Sequence, residues 1–284
     1  MKLSLPGKSA QKRPMASSDT KTLQTRHGPM LALAGDRYIT RSLELYGEFS
    51  RGEWELFAQV VKPGMTVVEA GANIGSHSVG LARACFPGPL YLFEPQQRVF
   101  QILCANLALN GIGNAIAYPE ACSDQASYVV VPPLDYGAAL NFGGVSIQAD
   151  AEGLPGLRVR ATPLDSLGLT ACHVLKIDVE GFEAQVVRGA IETIRRCRPL
   201  LYVENDRVAL QQELISLIAG LNYRLYWHLP PLFSPENFNR RSENAFPNIV
   251  SVNMLCIPAE RNTVVKDLDP IDPANWTSPV RVSG

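Results

Sequence analysis

Between residues 66 and 228 the chain alternates short β-rich runs with amphipathic helical runs, and no feature narrows its fold more. Residues 66–70, 90–93, 114–118, 172–179, 200–203 and 223–228 read as strands, and 249–257 as a closing strand. Apolar residues at helical spacing fill 76–85, 96–110, 182–197 and 208–219 between them. Strands that alternate with helices of this length need crossover connections, which predicts a mostly parallel α/β sheet with helices on both faces. The rhythm breaks at 124–161, where 127–131 is strand-like and 132–145 is rich in Gly, Pro and Asn. That stretch is expected to form an inserted hairpin or loop pair on the ligand side of the sheet. Upstream, 22–47 reads as hairpin-like strands, with 37–40 among them, and 53–61 as an amphipathic helix ending before Pro63. The expected organisation is a mobile tail at 1–20, a strand and helix segment at 21–62, one α/β domain at 63–257, and an irregular tail at 258–284.

The stretch Val68-Glu69-Ala70-Gly71-Ala72-Asn73-Ile74-Gly75 follows a strand and opens a helix. Gly71 suits a tight turn there, and Gly75 a close approach to a ligand. Ligands of open α/β sheets bind at the carboxyl ends of the strands, where Glu69 and Glu94 both fall. Glu94 stands 19 residues after Gly75, the spacing of a carboxylate that takes both hydroxyls of a ribose. The glycines are spaced G-x-x-x-G with Asn73 between them, unlike the G-x-G-x-x-G of dinucleotide loops. Glu69 just before the loop would repel a pyrophosphate and attract an α-ammonium, which favours S-adenosylmethionine over NAD.

Four motifs in order resemble the FkbM family of methyltransferases: residues 68–75, Phe93-Glu94-Pro95, the run Leu175-Lys176-Ile177-Asp178-Val179-Glu180-Gly181-Phe182-Glu183, and Tyr202-Val203-Glu204-Asn205. The run at 46–49 and Leu164-Asp165-Ser166-Leu167 fit as well, so the resemblance spans about 27–257. It implies a Rossmann-like class I methyltransferase fold, a seven-stranded sheet with its last strand antiparallel, and an S-adenosylmethionine-dependent enzyme. It also implies that Ser123 and Asp124 face the adenine, and that 21–62 forms a lid over the cofactor. FkbM relatives mostly methylate hydroxyls of polyketides and sugars.

The cofactor set expected is thus Glu69, Gly71, Asn73, Gly75, Glu94, Ser123 and Asp124. Strand alternation puts Lys176, Asp178 and Glu180 on one side of the fourth strand's end. Asp178 and Glu180 are the expected bases for an attacking hydroxyl, with Lys176 orienting them or steadying an alkoxide. An internal Lys176–Asp178 ion pair is the plainer reading of the same residues. Oxygen ligands Asp178, Glu204 and Asn205 on neighbouring strand ends form a candidate Mg²⁺ site, like that of metal-dependent catechol-type O-methyltransferases. Two alternatives to a hydroxyl methyltransferase stay open: an NAD-linked oxidoreductase and a non-catalytic S-adenosylmethionine-binding scaffold.

Composition enters as exclusion. Lys and Arg number 26 against 27 Asp and Glu, so no overall field draws in nucleic acid. A small molecule or glycan bearing a hydroxyl is the expected acceptor. No apolar run is long enough for a membrane span, and the 6 cysteines fall singly without a C-x-x-C pair. Scattered thiols of this kind predict a reduced, cytoplasmic protein. Nothing in the sequence reads as an oligomerisation signal.

Overall fold

The structure is a computed structural model, and it describes residues 19–149 and 153–280. Most of the expected mobile tail at 1–20 therefore lies outside the described residues. The chain opens with a hairpin of β1 (Thr20–Thr25) and β2 (Gly28–Leu33), then α1 (Ile39–Tyr46) and α2 (Arg51–Val60). Five parallel strands run through the main sheet: β3 (Val67–Ala70), β4 (Leu90–Phe93), β5 (Ala115–Tyr118) and, after the insertion, β10 (Val174–Ile177) and β11 (Leu200–Glu204). Helices α3 (Ser78–Cys85) and α4 (Gln97–Leu109) connect the first three. The insertion supplies β6 (Ala121–Cys122), β7 (Ser127–Val131), β8 (Gln148–Ala149) and β9 (Leu157–Thr162). β10 (Val174–Ile177), α5 (Glu183–Arg188), α6 (Ile191–Cys197), β11 (Leu200–Glu204), α7 (Val208–Gly220), β12 (Tyr223–His228), β13 (Asn253–Pro258) and β14 (Asp269–Ile271) complete the chain.

The main sheet runs β14-β12-β13-β11-β10-β3-β4-β5. It contains the seven strands that the family resemblance implies, β5 through β12 in that order, with β13 antiparallel to both neighbours, and β14 is an eighth. Strands β3, β10 and β11 lie in the middle with helices on both faces, so nearly every residue in them is buried. One apolar layer gathers Val68, Leu175, Leu201 and α7, and the other gathers Val67, Leu81, Leu92 and Tyr202.

Four local differences from the sequence reading have physical causes. Residues 37–40 enter a helix rather than a strand, because the Asp36 carboxylate accepts the N–H groups of Tyr38 and Thr40. Ile39, Leu43 and Tyr46 then share one buried face at helical spacing. The single helix expected at 182–197 breaks at Gly189-Ala190, where Asp165 accepts the N–H groups of Glu192 and Thr193 and restarts it. The insertion forms a four-stranded sheet, β6-β9-β7-β8, rather than a bare hairpin. The C-terminal segment, expected to be irregular, adds β14 as an eighth strand; Ile271 is buried beside Leu225, and the Trp276 indole donates to Gln212 at 2.7 Å.

Candidate active site

A cavity of about 300 Å³ opens at the carboxyl ends of β3, β4, β10 and β11. Its floor is the turn after β3. Gly71 has φ +84°, and a Cβ there would overlap the Asp178 carbonyl oxygen. The turn can pass under the end of β10 only because no side chain stands in the way. Asn73 also adopts a left-handed φ, +49°, which Asn tolerates better than most residues. Gly75 does not reach the cavity. A Cβ on it would press on Leu103 of α4, so its small size serves packing, not ligand approach.

Glu94 is buried at the end of β4 and faces the cavity. Its carboxylate accepts the Asn73 N–H at 3.0 Å and the Gln96 N–H at 2.8 Å. Burial pushes its carboxyl up to about 7 despite those two bonds. Each oxygen keeps a lone pair for a hydroxyl donor. The neighbouring Gln96 is pinned by its amide to the Phe142 carbonyl at 2.9 Å, which ties the insertion to this wall.

Glu69 is differently placed from the open counter-ion expected of it. It lines the cavity, yet the Ser78 hydroxyl donates to it at 2.6 Å and the Lys176 ammonium lies 3.4 Å away. Lys176 spends its charge on Glu69 and on Asp178, which it reaches at 2.9 Å. That is the internal ion pair of the plainer reading, extended to a triad. Burial opposes the Lys176 charge, but the two carboxylates outweigh it and hold the ammonium protonated.

Ser123 and Asp124 are not brought to the cavity. Ser123 bonds Asp124 at 3.1 Å, and their backbone packs against Gly189, where a Cβ would overlap the Ser123 carbonyl. The same wall of the cavity is instead formed by Glu120, Ala121 and Cys122.

Three further carboxylates gather at the cavity. Asp178, Glu180 and Glu204 offer oxygens that lie within 4.8 Å of one another. Arg207 donates to Glu180 at 2.8 Å and to Ser146 of the insertion at 2.9 Å. Burial first, and Asp178 second, push Glu180 up to about 7. Burial and then Asp178 drive Glu204 well above the usual carboxylate range. Asn205, expected beside them as a metal ligand, turns inward: its side-chain amide meets the Met254 sulfur at 3.4 Å, and its backbone carbonyl accepts from Gln211. The oxygen spacing of the other three fits a cation's ligand shell, so the candidate set is Asp178, Glu180 and Glu204 rather than Asp178, Glu204 and Asn205.

Glu53 and Asn253 also line the cavity and escaped the sequence reading. Glu53 sits four residues before Phe57 on the buried face of α2, and a charge on an apolar face was the available signal. It accepts from Ser50 at 2.7 Å. Asn253 interrupts an apolar run that otherwise reads as plain strand. Tyr46 and Glu48, expected to cover the cofactor, instead hold the loop after β12: the Tyr46 hydroxyl takes the Ala245 N–H, and Glu48 the Phe238 N–H. Phe49 and Tyr38 are the members of that segment that face the cavity.

A seven-strand order with an antiparallel member, a glycine turn after its first strand and a buried carboxylate after its second define a class I methyltransferase fold. The profile of the methyltransferase FkbM domain matches residues 69–225, more than half of the chain. The chain belongs to that family and is a methyltransferase. No curated protein matches it by sequence. Among solved structures it is similar to Trm5b from Pyrococcus abyssi, at 10% identity and a TM-score of 0.46, over 84% of this chain and 56% of that one. It is similar to precorrin-6y C5,15-methyltransferase from Geobacter metallireducens at 9% identity and 0.44, over 72% and 87%. It is also similar to methyltransferase FkbM from Methylobacillus flagellatus at 16% identity and 0.42, over 71% of this chain and half of that one. Among the described residues no helix is long and apolar enough to cross a membrane.

Proposed function

We propose that this methyltransferase uses S-adenosylmethionine and methylates a hydroxyl of a sugar, polyketide or related small metabolite. The observation that carries this reading is the lining of one cavity. Glu94 and the Gly71 turn border it together with Asp178, Glu180 and Glu204. Bound there, the cofactor supplies an electrophilic methyl group. Glu94 receives the ribose hydroxyls, Asn73 and Gln96 hold that carboxylate in place, and Gly71 keeps the floor open. Lys176 fixes Asp178, and Arg207 fixes Glu180, so an acceptor hydroxyl meets oriented carboxylates. Tyr38, Ile39, Phe49 and Leu232 add apolar wall, which shields the reacting centre from water. The segment 21–62 serves as a lid through Tyr38, Phe49 and Glu53. A polyanionic nucleic acid is disfavoured, because its phosphates would face this group of carboxylates.

The test is transfer of a labelled methyl group from S-adenosylmethionine to fractionated metabolites. Label is expected in neutral hydroxylated compounds. Asp178→Asn is expected to keep S-adenosylhomocysteine affinity within about twofold and to lower turnover by about 10²-fold or more. Cofactor binding without transfer to any fraction would favour the scaffold alternative. Enhanced NADH fluorescence on binding would favour the oxidoreductase.

A further inference from the structure

Three buried side-chain atoms of residues lining the cavity lack hydrogen-bond partners: Gln96 Oε1, next to Glu94 in the chain, and Glu204 Oε2 and Asn253 Nδ2 on the paired strands β11 and β13. Glu204 Oε2 accepts from nothing, and Asn253 Nδ2 donates to nothing. Asn253 is 3% exposed, lies beside the Tyr202 oxygen without the alignment of a hydrogen bond, and lines the cavity. The two residues face each other in the antiparallel register of β11 and β13, so both side chains leave the sheet on the same side. The neighbouring carboxylates differ from Glu204 in this respect. Asp178 is held by Lys176, and Glu180 by Arg207.

An unpaired buried donor or acceptor destabilises a fold, so a pair of them at one point of a cavity calls for a ligand that supplies both partners. A metal cation among Asp178, Glu180 and Glu204 would satisfy the oxygen and leave the Asn253 amide unpaired. A protonated amine would do the same, since it has no lone pair to offer. A hydroxyl satisfies both, because its O–H donates and its oxygen accepts. We propose that Glu204 and Asn253 form the subsite for the acceptor hydroxyl, with Glu204 taking its proton. The inference rests on the reading of the chain as an S-adenosylmethionine-dependent O-methyltransferase and names the residues that select the acceptor. As the acceptor oxygen bonds to the methyl carbon, its proton passes to Glu204 Oε2, and the carbon–sulfur electron pair stays on the departing sulfur. Asn253 meanwhile holds the oxygen by a lone pair not used in the attack.

Three measurements on the full chain test this. First, thermal unfolding without ligand: Glu204→Leu and Asn253→Leu are each expected to raise the midpoint by about 2–4 °C, because each removes an unsatisfied buried group. A lowered midpoint for both variants would mean that the residues serve the fold, and would overturn the proposal. Second, titration with MnCl₂ in the presence of S-adenosylhomocysteine: no binding tighter than millimolar is expected. Micromolar Mn²⁺ binding that Glu204→Gln abolishes would replace the hydroxyl subsite with a metal centre. Third, labelled methyl transfer to separate pools of neutral glycosides and of amines: label is expected in the neutral pool. Glu204→Gln is expected to lower kcat by about 10²–10⁴-fold. S-Adenosylhomocysteine affinity should stay within about twofold. Label entering only the amine pool, or wild-type turnover by Glu204→Gln, would overturn the proposal. Absence of S-adenosylhomocysteine binding would instead sink the underlying reading, and the first two measurements would still judge the pair.

Discussion

At the scale of single residues, the site is governed by how buried charges are compensated. Glu69 and Lys176 are both nearly inaccessible and depend on each other. Lys176→Met is expected to destabilise the protein by about 3–5 kcal/mol, since it strands a buried carboxylate. Urea unfolding measures this, and adding Glu69→Gln should recover part of the loss. Glu94 contributes to the pH dependence of stability. Its carboxyl rises from an ordinary 4.5 to about 7 on burial, so the folded chain holds the proton more tightly than the unfolded chain. The resulting stabilisation is complete below pH 4.5 and is lost as pH rises through 7. The loss from Glu94 alone is on the order of 3 kcal/mol. Glu94→Gln should therefore flatten the fall in stability between pH 5 and pH 8, read from urea unfolding at both. The positions of Glu94, Asp178 and Glu180 were legible in the sequence, because a strand's end is readable. The partners that set their charge were not. Lys176 looked equally able to face a substrate, and Ser123 and Asp124 follow a strand just as Glu94 does. Only the packing of Gly189 on their backbone takes them away from the cavity.

Among the elements, the turn between β3 and α3 is the least tolerant of change. Gly71→Ala adds a Cβ where the Asp178 carbonyl stands and forces a left-handed φ on a residue that carries a Cβ. The φ strain alone is about 1–3 kcal/mol. The overlap must also push β10 from β3, so the variant is expected to lose cofactor affinity more than tenfold, measured by calorimetry. The link from Arg207 to Glu180 and Ser146 joins three connections around the cavity. Arg207→Ala should release the insertion near 141–147 and raise its amide exchange, with little change in the exchange of β3 or β10. Strands β4, β7 and β12 coincide with their sequence ranges because apolar runs bounded by turn residues leave one reading. Helix α1 was misread because Arg37-Tyr38-Ile39-Thr40 has β-like composition. The Asp36 bonds to the backbone outweighed that weak preference. The break between α5 and α6 depends on Asp165, which lies far from it in sequence and could not signal it locally.

For the whole molecule, strand–helix alternation was enough to predict a parallel α/β sheet with the site at its carboxyl edge. What alternation does not encode is how chain outside the repeat attaches. The hairpin β1–β2 docks on α4 through Asn106, whose amide exchanges two hydrogen bonds with the backbone of Leu31. The C-terminal segment extends the sheet with β14 rather than trailing away. Both attachments depend on partners distant in sequence. The account's central claim concerns the whole cavity: that it holds S-adenosylmethionine with Glu94 on the ribose. Calorimetric titration of S-adenosylhomocysteine into the wild type and Glu94→Ala tests it most directly. The wild type is expected to bind in the micromolar range, and Glu94→Ala more weakly by about 1–3 kcal/mol, roughly 5- to 150-fold. A folded wild type that does not bind at high micromolar ligand, or a Glu94→Ala variant that binds as tightly as the wild type, would contradict it.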